Sequence, residues 1–123
     1  LIKYSVDIAI ISNTTDRNRD SLKNINKLER GGLSGKPVEI RSNELIRSFY
    51  KIFGKNIKII GVGGVDSGKS AFEKILNGAS LVQLYTGMVY EGPNIASKIS
   101  NELNDIFKNK GIKNISEIIG TKN

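Results

Sequence analysis

The chain has 123 residues, of which 38% are hydrophobic and 25% are charged, a composition that fits one globular domain with its own core. It contains no Cys and no His, which excludes disulfides, Cys/His zinc sites, thiol nucleophiles and histidine acid–base chemistry. The formal net charge is +7, but the lysines are spread along the chain without interleaved aromatics, so we expect no nucleic-acid partner. No apolar tract predicts a membrane span or a signal peptide.

The first predicted strand covers residues 6–11, a short apolar run that stops abruptly at a polar cluster. Ser12, Asn13 and Thr14 follow it directly, and side chains at the C-terminal end of a parallel strand face the usual ligand crevice. These residue types are also common in solvated turns, which leaves the plainer interpretation open. With Thr15, four hydrogen-bonding side chains lie directly after a buried strand, which favours a site.

The next segment contains a glycine-rich loop and an amphipathic helix. Residues 31–37 hold three glycines in five positions, which indicates a loop that folds over something and offers backbone N–H groups. Apolar residues at helical spacing predict a helix over residues 42–53, with Ser42 as its cap and Gly54 as its stop.

Residues 57–72 are the stretch around which the other predicted elements are arranged. They read as a buried strand, a turn containing Gly63 and Gly64, and a helix that Asp66 or Ser67 can cap, whose N–H groups favour a phosphate. One interpretation is a Walker A nucleotide loop over residues 63–70. Another is the phosphate loop after a late strand of a (β/α)8 barrel, and a third is a turn that binds nothing.

The last part of the chain adds a strand and two helices. Residues 80–85 form a third apolar strand, which ends at Thr86. A long helix follows from Ile95, with Pro93 placed in its first turn, and a short helix over residues 114–119 closes the chain. This order of strands and helices predicts a parallel α/β protein.

Four motifs in order carry a resemblance to a known family: ISNTT at residues 11–15, GGLSGKP at 31–37, IGVGGVDS at 60–67 and GASLVQLYTG at 78–87. Together they resemble the C-terminal part of class 2 dihydroorotate dehydrogenase, the FMN-dependent, quinone-reducing enzyme of pyrimidine synthesis. The resemblance covers nearly the whole chain. It implies that residues 1–123 are the C-terminal portion, strands 6–8 with their helices, of a single FMN-binding (β/α)8 TIM barrel.

The resemblance also implies roles for seven residues. Ser12 and Gly35 would contact FMN, and Asn13 and Thr14 would bind dihydroorotate or orotate. The FMN phosphate would be held by Gly64, Tyr85 and Thr86. No metal ligand is implied, and the family's catalytic base falls outside this stretch, so no catalytic residue is assigned here.

The rest of the implied enzyme would complete the activity. Because the chain starts at Leu1 rather than Met, we expect an excerpt that lacks the N-terminal part and is inactive alone. The missing region would admit quinone and dock the complete enzyme peripherally on the inner face of a cell membrane or an inner organellar membrane. The alternatives are another FMN- or phosphate-binding TIM barrel, or a P-loop nucleotide hydrolase using residues 63–70.

Overall fold

The computed structural model describes residues 2–17 and 19–122, so the expectation drawn from Leu1 concerns a residue outside the described part. Strands and helices alternate along it, in the order β1 (Ile8–Ile11), α1 (Glu39–Phe53), β2 (Lys58–Val62), α2 (Gly68–Leu76), β3 (Leu81–Gln83), α3 (Thr86–Glu91) and α4 (Ile95–Lys110). The predicted parallel α/β architecture is confirmed.

The three strands form one parallel sheet in the order β1-β2-β3. Ile60 of β2 lies at the centre of the register, opposite Ile10 on one side and Leu81 on the other. Because all three strands run the same way, their carboxyl ends and the loops that follow them meet at one edge of the sheet.

Helix α1 covers one face of the sheet through its apolar stripe. Its Ile46 is fully buried and packs in one cluster with Ile11, Ile59 and Ala79. Burying an isoleucine side chain of this kind contributes about 1.5–3 kcal/mol. This packing anchors α1 behind the carboxyl end of β2.

Helix α2 joins the sheet to α4 through two further clusters. Ala71 of α2 packs with Ile95 and Ile99 of α4, while Phe72 and Ile75 pack with the C-terminal Ile118. The loop that leads from β2 into α2 is therefore fixed at both of its ends.

The opposite face of the sheet is not covered by any helix in the described part of the chain. Ile8, Ile10 and Leu81 lie on this face and are 49%, 62% and 62% exposed. A (β/α)8 barrel packs such a face in its interior.

Several predicted boundaries differ from the structure. Helix α1 begins at Glu39 rather than residue 42, because the turn Lys36–Val38 contains Pro37, whose fixed φ leads into a helix. The predicted cap role of Ser42 is wrong: this residue is buried inside the helix, and its hydroxyl donates to the carbonyl of Val62. Gly54 does end the helix, as predicted.

The strands are shorter than predicted, and one helix was not predicted at all. The runs at residues 6–11, 57–62 and 80–85 contain strands of four, five and three residues. Helix α3 buries none of its residues, so it lacks the apolar periodicity that predicts a helix. Pro93 precedes the N-cap Asn94 instead of lying in the first turn of α4.

The predicted helix at residues 114–119 is a single 3-10 turn, Ile115–Glu117. Asn114 and Glu117 have the spacing of a capping box, but Asn114 caps the turn by accepting a hydrogen bond from the Ser116 N–H at 2.9 Å, and no capping box with Glu117 is formed.

Candidate functional site

A cavity of about 1060 Å³ opens at the edge where the three strands end. All seven residues predicted from the resemblance line it: Ser12, Asn13, Thr14, Gly35, Gly64, Tyr85 and Thr86. Leu22, Lys36, Asp66 and Tyr90 line it as well and were not predicted as site residues. Their positions depend on how the loops fold over one another, which no local pattern shows.

The loop after β1 presents a side-chain amide to the cavity. The Ser12 N–H donates to the carbonyl of Val62 at 3.2 Å, which joins this loop to the end of β2. Asn13 is exposed, and its Oδ1 accepts a hydrogen bond from the Thr14 N–H at 2.8 Å. This bond fixes the amide so that Nδ2, which has no partner among the described residues, can donate to a ligand.

The glycine-rich loop 31–35 is bonded to the loops after β1 and β3. Thr15 and Leu33 exchange backbone hydrogen bonds of 3.2 and 2.7 Å, and the Thr86 hydroxyl donates to Ser34 Oγ at 2.9 Å. Directly after the loop, the Lys36 ammonium lies 3.2 Å from an Asp66 carboxylate oxygen, in the segment that follows β2. The predicted loop over a ligand thus spans all three strand ends.

Gly35 allows this close approach. Its φ is +76°, and a Cβ atom there would lie 2.8 Å from Thr86 Cγ2. Any side chain at this position would separate the loop from the end of β3.

The turn after β2 offers backbone donors. Gly63 and Gly64 have φ of +111° and +75°, and they line the cavity together with Thr86 and Gly87. Within residues 2–17 and 19–122, none of these four N–H groups donates a hydrogen bond. Unpaired N–H groups next to a cavity favour an anion such as a phosphate.

The start of helix α2, by contrast, is already occupied. Ser67 and Ser70 form a capping box, so the prediction that Ser67 caps this helix is confirmed. The Gly68 N–H donates to a Glu102 carboxylate oxygen at 2.5 Å, which places a negative charge where the helix dipole favours one. The prediction that these N–H groups receive a phosphate is therefore wrong.

The same geometry removes the Walker A interpretation. Ser70 is 2% exposed, and its hydroxyl bonds within the cap instead of facing a metal or phosphate. Lys69 is exposed and does not line the cavity. A nucleotide loop needs both side chains directed at the phosphates.

Charges close to the glycine turn are paired. Hydrogen bonding to Glu39, together with the contact to Asp66, raises the pKa of Lys36 despite some burial. Burial acts to raise the pKa of Asp66, but hydrogen bonds from Lys36, Ser67 and Ser70 outweigh it and lower that pKa. Both groups are therefore charged at neutral pH.

Parallel βα units that gather glycine turns and polar side chains at their carboxyl ends are typical of (β/α)8-barrel enzymes with phosphate-bearing ligands. The sequence profile of the dihydroorotate dehydrogenase family matches residues 2–107. The chain belongs to this family, and membership supports a flavin cofactor in general.

Individual relatives agree with this assignment. The chain is 41% identical over 118 residues to dihydroorotate dehydrogenase (quinone) from Haloarcula marismortui, covering 96% of this chain and 33% of the relative. It is 44% identical over 118 residues to the mitochondrial dihydroorotate dehydrogenase (quinone) from Mus musculus, covering 96% and 30%. The crystal structure of ligand-free DHODH from Eimeria tenella superimposes with a TM-score of 0.93 at 37% identity, covering 98% of this chain and 33% of that one.

The chain thus spans about a third of the length of the curated relatives it matches. Its three-stranded sheet is a portion of the dihydroorotate dehydrogenase TIM barrel, as predicted. No helix in the described part of the chain is long and apolar enough to cross a bilayer.

Proposed function

We propose that this chain is part of an FMN-dependent dihydroorotate dehydrogenase. The enzyme would oxidise dihydroorotate to orotate in pyrimidine synthesis and pass the electrons to a quinone, as the names of the relatives indicate for those proteins. The observation that supports this proposal best is the convergence of all seven motif residues on one cavity.

The cavity fits a phosphate-bearing cofactor. Gly63, Gly64, Thr86 and Gly87 leave backbone N–H groups free at its wall, whereas the charge of Lys36 is paired with Glu39 and Asp66. FMN bound here would supply the group that accepts a hydride from the substrate. Gly64, Tyr85 and Thr86 would hold its phosphate.

The flavin ring system would lie between the loop after β1 and the turn that precedes α1. Ser12 is half-buried at the end of β1, and Gly35 lies in the loop bonded to the end of β3. A backbone without a Cβ at Gly35 would let the loop contact the ring system of FMN closely.

Asn13 and Thr14 would orient the substrate ring. Because Asn13 Oδ1 is engaged by the Thr14 N–H, its Nδ2 is directed to donate, and orotate offers carbonyl and carboxylate oxygens that accept. The Thr14 hydroxyl can donate or accept beside it. Holding the ring in one orientation against the flavin is positioning catalysis.

The remaining parts of the reaction would be supplied by other residues of the enzyme. Oxidation of dihydroorotate removes one proton and one hydride, and we propose that the base that takes the proton lies outside these 123 residues. The chain alone would then be inactive. Quinone access and peripheral attachment to the inner face of a membrane would likewise be supplied from outside this stretch.

Asn13→Ala in the complete, FMN-loaded enzyme tests the substrate role. We expect turnover of dihydroorotate to fall about 10²-fold because ring orientation is lost, while the flavin absorbance per protein stays unchanged. The exposed Asn109 on α4 provides a matched control, and Asn109→Ala should keep full turnover. Full turnover in Asn13→Ala would refute the substrate role, and absence of flavin from the wild-type enzyme would refute the proposed function.

A further inference from the structure

Helix α2 carries a lysine that is fully buried. Lys74 has 0% of its surface exposed, and its stem lies against β2, where a Cβ at Gly61 would be 3.2 Å from Lys74 Cδ. The ammonium donates to Ser42 Oγ and to Asn43 Oδ1, each at 3.0 Å. No carboxylate among the described residues forms an ion pair with it. Burying a lysine ammonium without an ion pair costs free energy of folding, so we expect its hydrogen bonds to serve a function.

The bonds of Lys74 lead to the glycine turn. Ser42 receives a hydrogen bond from Lys74 and donates its own hydroxyl hydrogen to the carbonyl of Val62, at 2.5 Å. That carbonyl also accepts the Ser12 N–H at 3.2 Å. Since an ammonium can only donate, Ser42 Oγ has to use its hydrogen on Val62.

Holding the Val62 carbonyl sets the direction of the next N–H. In a trans peptide the C=O and the following N–H point in opposite directions. Because the Val62 carbonyl is bonded towards α1, the Gly63 N–H is turned away from α1. Gly63 itself packs on Ser42, since a Cβ there would lie 3.3 Å from Ser42 Cβ.

We propose that Lys74 is a positioning residue that, through Ser42, holds the Gly63–Gly64 turn in the conformation that receives the ligand phosphate. This inference rests on the proposed function, in which that turn binds the FMN phosphate. Lys74 does not line the cavity and would act without touching the cofactor. Loss of its ammonium releases Ser42 to rotate, and the peptide between Val62 and Gly63 loses its restraint.

Comparing FMN with riboflavin, which lacks the phosphate, tests the inference in the complete, flavin-free enzyme. We expect Lys74→Met to weaken FMN binding about tenfold, the size of one lost hydrogen bond to a phosphate, with riboflavin binding changed by less than about twofold. A merely structural role would weaken both flavins alike. Lys69→Met, a change at an exposed lysine of the same helix, should leave both dissociation constants unchanged.

Ser42→Ala shows whether Lys74 acts through Ser42. This variant should lose FMN selectivity as Lys74→Met does, and the double variant should be no weaker than the single ones. Multiplied effects in the double variant, or unchanged FMN-to-riboflavin selectivity in Lys74→Met, would overturn the inference. If Lys74→Met does not fold, unchanged selectivity in Ser42→Ala has the same force.

Amide hydrogen exchange separates this inference from the proposed function. In the flavin-free enzyme, Lys74→Met should speed exchange of the Ser12 N–H, which donates to the Val62 carbonyl, without a matching change in α4. If the wild-type enzyme binds no flavin, the proposed function fails. The exchange measurement still tests whether Lys74 and Ser42 restrain the Gly63–Gly64 turn. Unchanged exchange of the Ser12 N–H in both Lys74→Met and Ser42→Ala would refute the inference.

Discussion

Gly64 occupies a position where even one methyl group has no room. Its φ is +75°, in the left-handed region that L-residues avoid. A Cβ atom there would lie 2.7 Å from Glu39 Cα and 3.0 Å from Glu39 N, both backbone atoms at the start of α1. An added side chain therefore meets α1 rather than the cavity.

The magnitude of Gly64→Ala follows from these two terms. The left-handed conformation costs an L-residue about 1–2 kcal/mol, and overpacking against a fixed backbone adds about 1–3 kcal/mol. Gly111 isolates the first term, because it has the left-handed conformation, with φ of +66° and ψ of 22°, and nothing lies within 4 Å of its Cβ position. Gly111→Ala should then cost only about 1–2 kcal/mol.

Urea unfolding of the complete enzyme measures both free energies. We expect Gly64→Ala to lower the free energy of unfolding by about 1–3 kcal/mol more than Gly111→Ala, and to release FMN because the turn is displaced. Equal losses in the two variants would show that the turn moves away from α1 freely. The reasoning from the Glu39 backbone would then be wrong.

Two further predictions concern helix α2. Ser70→Ala removes half of the capping box and should lower stability by about 1 kcal/mol in urea unfolding, with FMN affinity unchanged; weaker FMN binding would instead place Ser70 at the phosphate. Burial lowers the pKa of Lys74 to about 8 from its ordinary 10.5. Between these values the unfolded state holds more protons, so this lysine makes stability rise with pH from about 8 to about 10.5. Lys74→Met should lack that rise, and identical pH profiles would contradict the assigned burial.

The sequence located the site because its signal is local. A polar cluster or glycine pair directly after an apolar run is visible in a few residues, and parallel strands bring such clusters to one edge. This pattern predicts that Ser12, Gly64 and Thr86 lie at the same edge, whereas their roles in FMN binding come from the family resemblance. Their assigned contacts with FMN stay predictions.

What the sequence missed depends on contacts between distant segments. Glu102 accepts a hydrogen bond from the Gly68 N–H although it lies 34 residues further along the chain. The start of α2 therefore looked open to a phosphate, whereas a carboxylate of the same chain occupies it. Ser42 looked like a helix cap because its partners, Val62 and Lys74, are likewise distant in sequence. Lys74 did leave a signal, because it lies three residues after the buried Ala71 and directly before the buried Ile75, inside the apolar stripe of α2.

The uncovered face of the sheet introduces a competition between rates. Ile8, Ile10 and Leu81 expose apolar surface along one side of paired strands. Covering that surface within one molecule proceeds at a rate independent of protein concentration, whereas two molecules meet through it at a rate that grows with concentration. Dilution and low temperature during refolding therefore favour coverage within one molecule, and high expression favours association of two molecules. The apolar residues of this face therefore require that it be covered within one molecule faster than two molecules associate through it.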